Sequence, residues 1–157
     1  LAAIHKVVLE AQEYALANIK AGMTGLEADS FAREFIIAHG YGKEFGHNLG
    51  HGVGVQIHEK PCLGPNSNDI LKPNMIITVE PGIYIEGVGG VRIEDFAVVK
   101  EDGFCYYYLP RRRKLLASVT FVTKIGNKYF SLVFKYYAAE RRIQTGKIKP
   151  IFGRKYK

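Results

Sequence analysis

The sequence predicts an α+β fold, because two helical patterns come first and strand-like segments follow them. Apolar residues recur at spacings of three and four through residues 4–19 and again through residues 28–36, which is typical of amphipathic helices. Thr24 and Glu27 have the spacing of a capping box at the start of the second helix. Gly40 suits a left-handed end of that helix. Apolar runs separated by glycine and proline follow, so we expect the helices to cover a sheet.

The composition is that of a folded domain whose charge changes along the chain. Of the 157 residues, 47% are hydrophobic and 24% charged, and no apolar run is long enough to span a bilayer. Residues 1–103 carry 8 Lys and Arg against 14 Asp and Glu, a net charge of −6. Residues 104–157 carry 14 Lys and Arg against one acidic residue, Glu140, which gives a net charge of +13. They also contain seven of the ten tyrosines. This break predicts a boundary near residue 103.

The number of cysteines bears on the cellular location of the protein, and the N-terminal residues bear on whether the chain is part of a longer one. Cys62 and Cys105 are too few for a disulfide scaffold or a thiolate metal site, so a reducing, cytoplasmic location is expected. The N-terminus lacks the pattern of a signal peptide and has no initiating methionine. Leu1 already lies within the first helical pattern, and we therefore expect the chain to begin partway through a larger protein.

Residues 46–54 contain four glycines and two histidines, which is unusual for a core segment. The glycines disfavour a regular helix. In an extended chain, His47 and His51 would point to one face, and the glycines would let another backbone or a ligand approach closely. His58 follows in the same region. Taken alone, each histidine also fits a buried imidazole whose hydrogen bonds are satisfied.

Two glutamates interrupt the predicted strands. Residues 75–79, 83–85 and 91–99 read as strands, with Glu80 and Glu94 among their apolar residues. Carboxylates are rare in such surroundings unless they are paired or bound to metal, and pairing with Arg92 alone is one alternative. One His with two Glu suits Mn, Co, Zn or Fe better than a soft metal. The set therefore favours a catalytic metal site.

Three ordered motifs resemble those of the Xaa-Pro peptidases, the aminopeptidase P and prolidase group of pita-bread metallopeptidases. They occupy residues 46–61, 78–85 and 89–95, and the last two favour this branch over methionine aminopeptidases. The resemblance covers residues 1–103. It implies the C-terminal half of the catalytic domain, a partial pita-bread (creatinase/aminopeptidase) fold in which two N-terminal helices cover an antiparallel curved sheet.

The resemblance also implies a metal site. It makes His51, Glu80 and Glu94 metal ligands, with Glu94 bridging two divalent ions. Manganese is the first expectation and cobalt or zinc the alternatives. A dinuclear site of this kind can acidify a bridging water and polarise the scissile carbonyl.

The resemblance further implies a catalytic set of His47, His58, Glu80 and Arg92. The two histidines would line the substrate pocket and stabilise the developing oxyanion. Arg92 would lie beside the ligands as a cation that helps to orient them. The implied reaction is metal-dependent hydrolysis of the peptide bond preceding proline. The implied partners are a proline-containing peptide and, as is common in the family, further copies of the chain.

The family pattern also requires two aspartates ahead of the first helix. Asp29, Asp69 and Asp95 do not match those positions. We therefore expect these 157 residues to bind metal weakly and, by themselves, to release no residue from Xaa-Pro peptides. The alternative is a non-catalytic pita-bread module that binds peptides or proteins.

Residues 104–157 do not continue the family pattern and stay unassigned. Basic runs at 111–114 and 141–142, with tyrosines between them, fit an anionic partner or a charged segment without one. A specific nucleic-acid partner is disfavoured because residues 1–103 are acidic. A third reading is sequence translated out of frame. Apolar runs on both sides of residues 126–127 favour a β-hairpin.

Overall fold

A computed structural model describes residues 1–102, 106–107, 116–125 and 128–137. Helices α1 (Ala2–Asn18) and α2 (Gly25–Ala38) come first, followed by a short 3-10 turn. Eight strands follow in the described part of the chain: β1 (Gly50–Gly52), β2 (Glu59–Leu63), β3 (Ile76–Val79), β4 (Gly82–Ile85), β5 (Gly89–Val98), β6 (Tyr106–Tyr107), β7 (Leu116–Ile125) and β8 (Lys128–Tyr137). Cys105, residues 126–127 and the basic runs at 111–114 and 141–142 lie outside the described residues.

The described strands pair antiparallel, in the order β2-β1-β3-β5-β7-β8, and β4 and β6 also pair with β5. Strands β3 and β4 follow one edge of β5 in a single register. Val79 pairs with Asp95 and Gly82 pairs with Arg92, and the two residue numbers of each pair have the same sum. Strands β3 and β4 therefore continue one register along β5. This register places position 80 directly across from position 94. Strand β7 pairs with the other edge of β5, and β8 pairs with β7.

The core lies between the two helices and one face of the sheet. On α1, the buried side chains repeat at helical spacing, as the sequence predicts: Ile4, Val8, Ala11, Ala15, Leu16 and Ile19. On the strands, alternate side chains face these helices, and Ile77, Val79, Val91, Ile93 and Ala97 are fully or almost fully buried. The intervening residues of β3 and β5 therefore point to the opposite face. No helix in the described residues is long and apolar enough to cross a membrane.

Helix α2 begins with the capping box that the sequence predicts. The amide N–H of Glu27 donates to Thr24 Oγ1 at 3.1 Å, and the amide N–H of Thr24 donates to Glu27 Oε2 at 2.7 Å. The hydrogen bonds that the amide and then the hydroxyl of Thr24 donate to Glu27 Oε2 lower the pKa of Glu27. Gly40, with φ of +84°, takes up the left-handed conformation just beyond the helix end.

A buried ion pair on α2 holds the segment that leads into β1. Asp29 is 1% exposed and accepts from the amide N–H of Leu49 and from Arg33 Nη2, both at 2.9 Å. The same guanidinium donates to the carbonyls of Phe45 at 2.9 Å and His47 at 2.7 Å. Residues 45–49 contain little regular structure, so the ion pair supplies the hydrogen bonds that a strand ladder would otherwise supply.

We predict that Asp29→Asn lowers the free energy of unfolding by about 3 kcal/mol, because it leaves the Arg33 guanidinium without its charged partner. Urea denaturation followed by circular dichroism measures the loss. The control is Glu34→Gln, an exposed acid on the same helix, which is expected to change stability by less than about 0.5 kcal/mol. Equal unfolding midpoints for Asp29→Asn and Glu34→Gln would contradict the role given to the ion pair.

A second buried acid, Asp95, lies on the helix-facing side of β5. It is 8% exposed. Burial, and then the neighbouring charge of Glu94, raise the pKa of Asp95 to about 7, while a hydrogen bond with Gln12 opposes the shift. The folded chain therefore holds a proton at Asp95 at a pH where the unfolded chain releases it.

We predict that this proton makes the chain less stable as pH rises from about 4 to about 7, by about 3 kcal/mol in all. Asp95→Asn should remove this decrease and be more stable than the original chain at about pH 8. Urea denaturation across this pH range measures both effects, with exposed Asp102→Asn as the control. Parallel pH profiles for Asp95→Asn and the original chain would refute the assignment.

Candidate active site

A cavity of about 370 Å³ opens on the face of the sheet away from the helices. Its lining includes five of the six polar residues that the sequence singles out: His51, His58, Glu80, Arg92 and Glu94. Thr78, Phe96 and residues 53–57 complete the wall. The sheet therefore brings together polar side chains as far apart in the sequence as His51 and Glu94.

A close approach between β1 and β3 positions His51. A Cβ atom at Gly50 would lie 2.0 Å from the carbonyl oxygen of Thr78, so only glycine fits there. The amide N–H of His51 donates to Thr78 Oγ1 at 3.0 Å, and that hydroxyl lies 3.0 Å from Glu80 Oε1, to which it donates. The amide N–H of Glu80 donates to the Leu49 carbonyl at 2.8 Å. These bonds fix both His51 and Glu80.

The imidazole of His51 and the carboxylate of Glu80 face each other in the wall of the cavity. His51 Nδ1 lies 3.0 Å from the Gly52 carbonyl, which only accepts, so in the neutral ring Nδ1 carries the proton. The lone pair on Nε2 is then directed at Glu80 Oε1, 3.3 Å away. Two acceptors at this distance require a shared proton or a cation between them.

The two carboxylates lie at opposite positions of the register and share one guanidinium. Arg92 Nε is 3.7 Å from Glu80 Oε2, and Arg92 Nη2 is 3.6 Å from Glu94 Oε2. Burial, and then the charge of Glu80, raise the pKa of Glu94, while Arg92, His51 and His58 oppose the shift. Arg92 thus partly neutralises a pair of like charges that would otherwise repel each other.

The other two histidines occupy different surroundings. The His58 ring is exposed and lies 4.4 Å from the His51 ring. His47 does not line the cavity. Its ring packs between Phe45 at 5.0 Å and Tyr84 at 5.5 Å. Burial lowers the pKa of His47, and its Nδ1 lies 2.8 Å from the Asn48 carbonyl, which leaves Nε2 as a buried acceptor without a hydrogen-bond partner.

Two residues that support the site are not singled out by the sequence. Thr78 lies within a predicted strand and at the start of the second motif, and Gln12 lies within the apolar stripe of α1. Gln12 Nε2 donates to the carbonyls of Val79 at 3.0 Å and Ile93 at 3.1 Å. The sequence carries the same indication for both residues, because a polar side chain on a buried face needs a hydrogen-bond partner.

The donor types fit a divalent cation, but their arrangement is incomplete. In the described part of the chain, no group of three or more His, Cys, Asp or Glu side chains is arranged to hold a metal ion. His51 and Glu80 converge, whereas Glu94 is held through Arg92. None of the four aspartates lines the cavity: Asp29 pairs with Arg33, Asp69 pairs with Lys60, Asp95 faces the helices and Asp102 is exposed.

Comparisons with known proteins identify peptidases as relatives of this chain. The chain is 53% identical over 100 residues to an Xaa-Pro dipeptidase of Pyrococcus furiosus, covering 64% of this chain and 29% of that protein. It is 55% identical over 100 residues to the uncharacterized peptidase YqhT of Bacillus subtilis, covering 64% of this chain and 28% of that protein. The chain thus spans less than a third of the length of these curated relatives.

Solved structures show the same likeness. An Xaa-Pro dipeptidase from Bacillus anthracis is similar with a TM-score of 0.66 and 50% identity, over 69% of this chain and 31% of that one. The prolidase from Pyrococcus furiosus matches with a TM-score of 0.66 and 47% identity, over 71% and 33%. The expected α+β, partial pita-bread fold is therefore confirmed. The family description "Metallopeptidase family M24" matches residues 1–101, and the chain belongs to that family.

Proposed function

We propose that residues 1–103 form the C-terminal half of the catalytic domain of a peptidase that hydrolyses the bond preceding proline. One observation supports this most directly. His51 Nε2 and Glu80 Oε1 face each other at 3.3 Å as two acceptors, beside a second carboxylate on the opposite strand. This pair requires a shared proton or a cation between its two atoms, and the second carboxylate, Glu94, adds a further negative charge that favours a cation.

In this proposal, His51, Glu80 and Glu94 would be three of the protein ligands of a site for two divalent ions. Manganese is the first expectation, and cobalt or zinc are the alternatives. The bound ions would supply Lewis acidity and a water of lowered pKa. Both carboxylates must be ionised to bind the ions, and Arg92 would lie beside them as a cation that helps to orient them.

The remaining residues of the site orient these groups and handle protons. The Thr78 hydroxyl donates to Glu80 Oε1 at 3.0 Å and so orients this carboxylate. The family resemblance gives His47 a catalytic role as well, and its buried Nε2, which has no hydrogen-bond partner, is the atom that would fulfil it, although the ring does not line the cavity in this structure. His58, exposed at the mouth of the cavity, is placed to stabilise an oxyanion when protonated.

The cavity wall suits a proline-containing peptide. Val53, Val55, Ile57 and Phe96 line it together with the charged groups. An imino-acid ring can pack on this apolar side while the scissile carbonyl reaches the carboxylates. The relatives named Xaa-Pro dipeptidase are consistent with this substrate class. A cytoplasmic location, self-association and the lack of a specific nucleic-acid partner stay predictions, as does a separate basic unit at residues 104–157.

The alternative is a pita-bread module that binds peptides without catalysis. The position of Arg92 favours it, because a guanidinium 3.6–3.7 Å from both carboxylates already provides the positive charge that they require. Metal binding distinguishes the two proposals. A peptidase of this family requires bound divalent ions, and a binding module does not.

We predict that Mn²⁺ binds the chain weakly and that Glu94→Gln reduces the affinity about tenfold or more, because it removes one of two negative charges at the site. Isothermal titration calorimetry measures the affinity. The matched control, exposed Glu101→Gln, should bind as the original chain does. Unchanged affinity in Glu94→Gln would exclude Glu94 as a ligand.

We predict that the 157 residues alone, with Mn²⁺ added, release no free amino acid from Xaa-Pro dipeptides, because none of their aspartates lines the cavity. Mixing the chain with the preceding part of the Pyrococcus furiosus Xaa-Pro dipeptidase should produce Mn²⁺-dependent cleavage. Chromatography of released proline is the assay, and Glu94→Gln in the mixture is the negative control. Cleavage by the isolated chain, lost in Glu94→Ala, would show that the ligand set is completed from within.

A further inference from the structure

Pro81 leaves a gap in the hydrogen-bond ladder beside the candidate site. The shared register of β3 and β4 places Pro81 opposite Ile93. The amide N–H of Ile93 donates to the Pro81 carbonyl at 3.3 Å, as in a hydrogen-bonded antiparallel pair. Such a pair exchanges two hydrogen bonds, but proline has no N–H. The Ile93 carbonyl therefore lacks the donor that the opposite strand would otherwise provide.

Gln12 supplies that donor from the other layer of the fold. Its side chain is 1% exposed and lies on the face of α1 that packs on the sheet. Its Nε2 donates to the Ile93 carbonyl at 3.1 Å and to the Val79 carbonyl at 3.0 Å. One amide group thus joins the end of β3 to the middle of β5 at the point where their own ladder is interrupted.

We propose that Gln12 is a positioning residue for the carboxylate pair, an inference whose catalytic meaning rests on the proposed function. Val79 and Ile93, whose carbonyls it binds, immediately precede Glu80 and Glu94. By bridging these two carbonyls, Gln12 fixes the distance between the backbone segments from which both carboxylates project.

The chemistry of the position supports this role over simple packing. Burying an amide costs free energy unless it is hydrogen-bonded, and leucine or methionine would fill a similar volume without that cost. The carboxylates give a reason for the bridge, because like charges at opposite positions push the strands apart. Pro81 is adjacent to Glu80 and Ile93 is adjacent to Glu94, so the missing hydrogen bond lies next to the two carboxylates. Their repulsion therefore acts where the strand pairing is weakest.

A double-mutant cycle between Gln12 and Pro81 tests the proposal. Gln12→Met keeps the volume but removes the donor, and it should lower the unfolding midpoint by about 5 °C. Pro81→Ala restores a backbone N–H that can donate to the Ile93 carbonyl. In the Pro81→Ala background, Gln12→Met should therefore cost less than half as much. Equal costs in both backgrounds would overturn the proposal, because Gln12 would then not replace the missing ladder donor.

A second measurement reports on the carboxylates themselves. In ¹⁵N-correlated NMR spectra, Gln12→Met should shift the amide resonances of Glu80 and Glu94, and Pro81→Ala should return them toward their original positions. Ile4→Val, a core change on the same helix, is the control for general loss of stability and should leave these resonances in place. Resonances unmoved by Gln12→Met would refute the positioning role.

Mn²⁺ titration separates this proposal from the proposed function. If the chain binds Mn²⁺, Gln12→Met should weaken binding about tenfold while Ile4→Val does not. If the chain binds no Mn²⁺ but the cycle and the spectra give the expected coupling, the metal function fails and the positioning of the carboxylates by Gln12 stands. Unchanged Mn²⁺ affinity in Gln12→Met would count against the positioning role.

Discussion

The continuous register of β3 and β4 along β5 is the constraint on which the candidate site depends. It sets Glu80 directly across from Glu94, on the face of the sheet away from the helices. Two like charges at opposite positions are unfavourable in a sheet. The fold nevertheless maintains this register, because the alternating buried residues of the same strands would be moved to the wrong face by a slip of one position. Packing of the apolar face therefore holds together the polar groups of the other face.

The two helices do more than cover the sheet. The Asp29–Arg33 pair on α2 holds residues 45–49, and the Leu49 carbonyl in turn accepts from the amide of Glu80. On α1, Gln12 reaches through the core to the two carbonyls that precede the glutamates. Both connections use buried polar groups whose partners are backbone atoms. Hydrogen bonds from such groups require a particular direction, whereas apolar packing does not. The buried polar groups therefore set the geometry of the site.

The charge balance of the cavity depends on Arg92. Its guanidinium lies within 3.7 Å of both carboxylates, which are also the proposed ligands of divalent ions. One positive charge offsets only part of two negative charges, so the carboxylates retain an attraction for a further cation. In the proposed enzyme, divalent ions would supply that charge with Arg92 beside them, whereas a binding module would rely on Arg92 alone.

Periodicity and local motifs are properties of neighbouring residues, so the two helices, the capping box at Thr24, the β3–β5 strands and the family could be predicted from the sequence. The glutamates could be singled out too, since charges within apolar strands are conspicuous. That His47 lies outside the cavity while His51 faces Glu80 became apparent only in the folded chain, because side-chain direction depends on which strands pair and how closely they approach. The folded chain likewise revealed Gln12, whose role depends on a missing N–H at a residue 69 positions away in the chain. Such long-range compensation has no local signature, so the sequence alone could not indicate it.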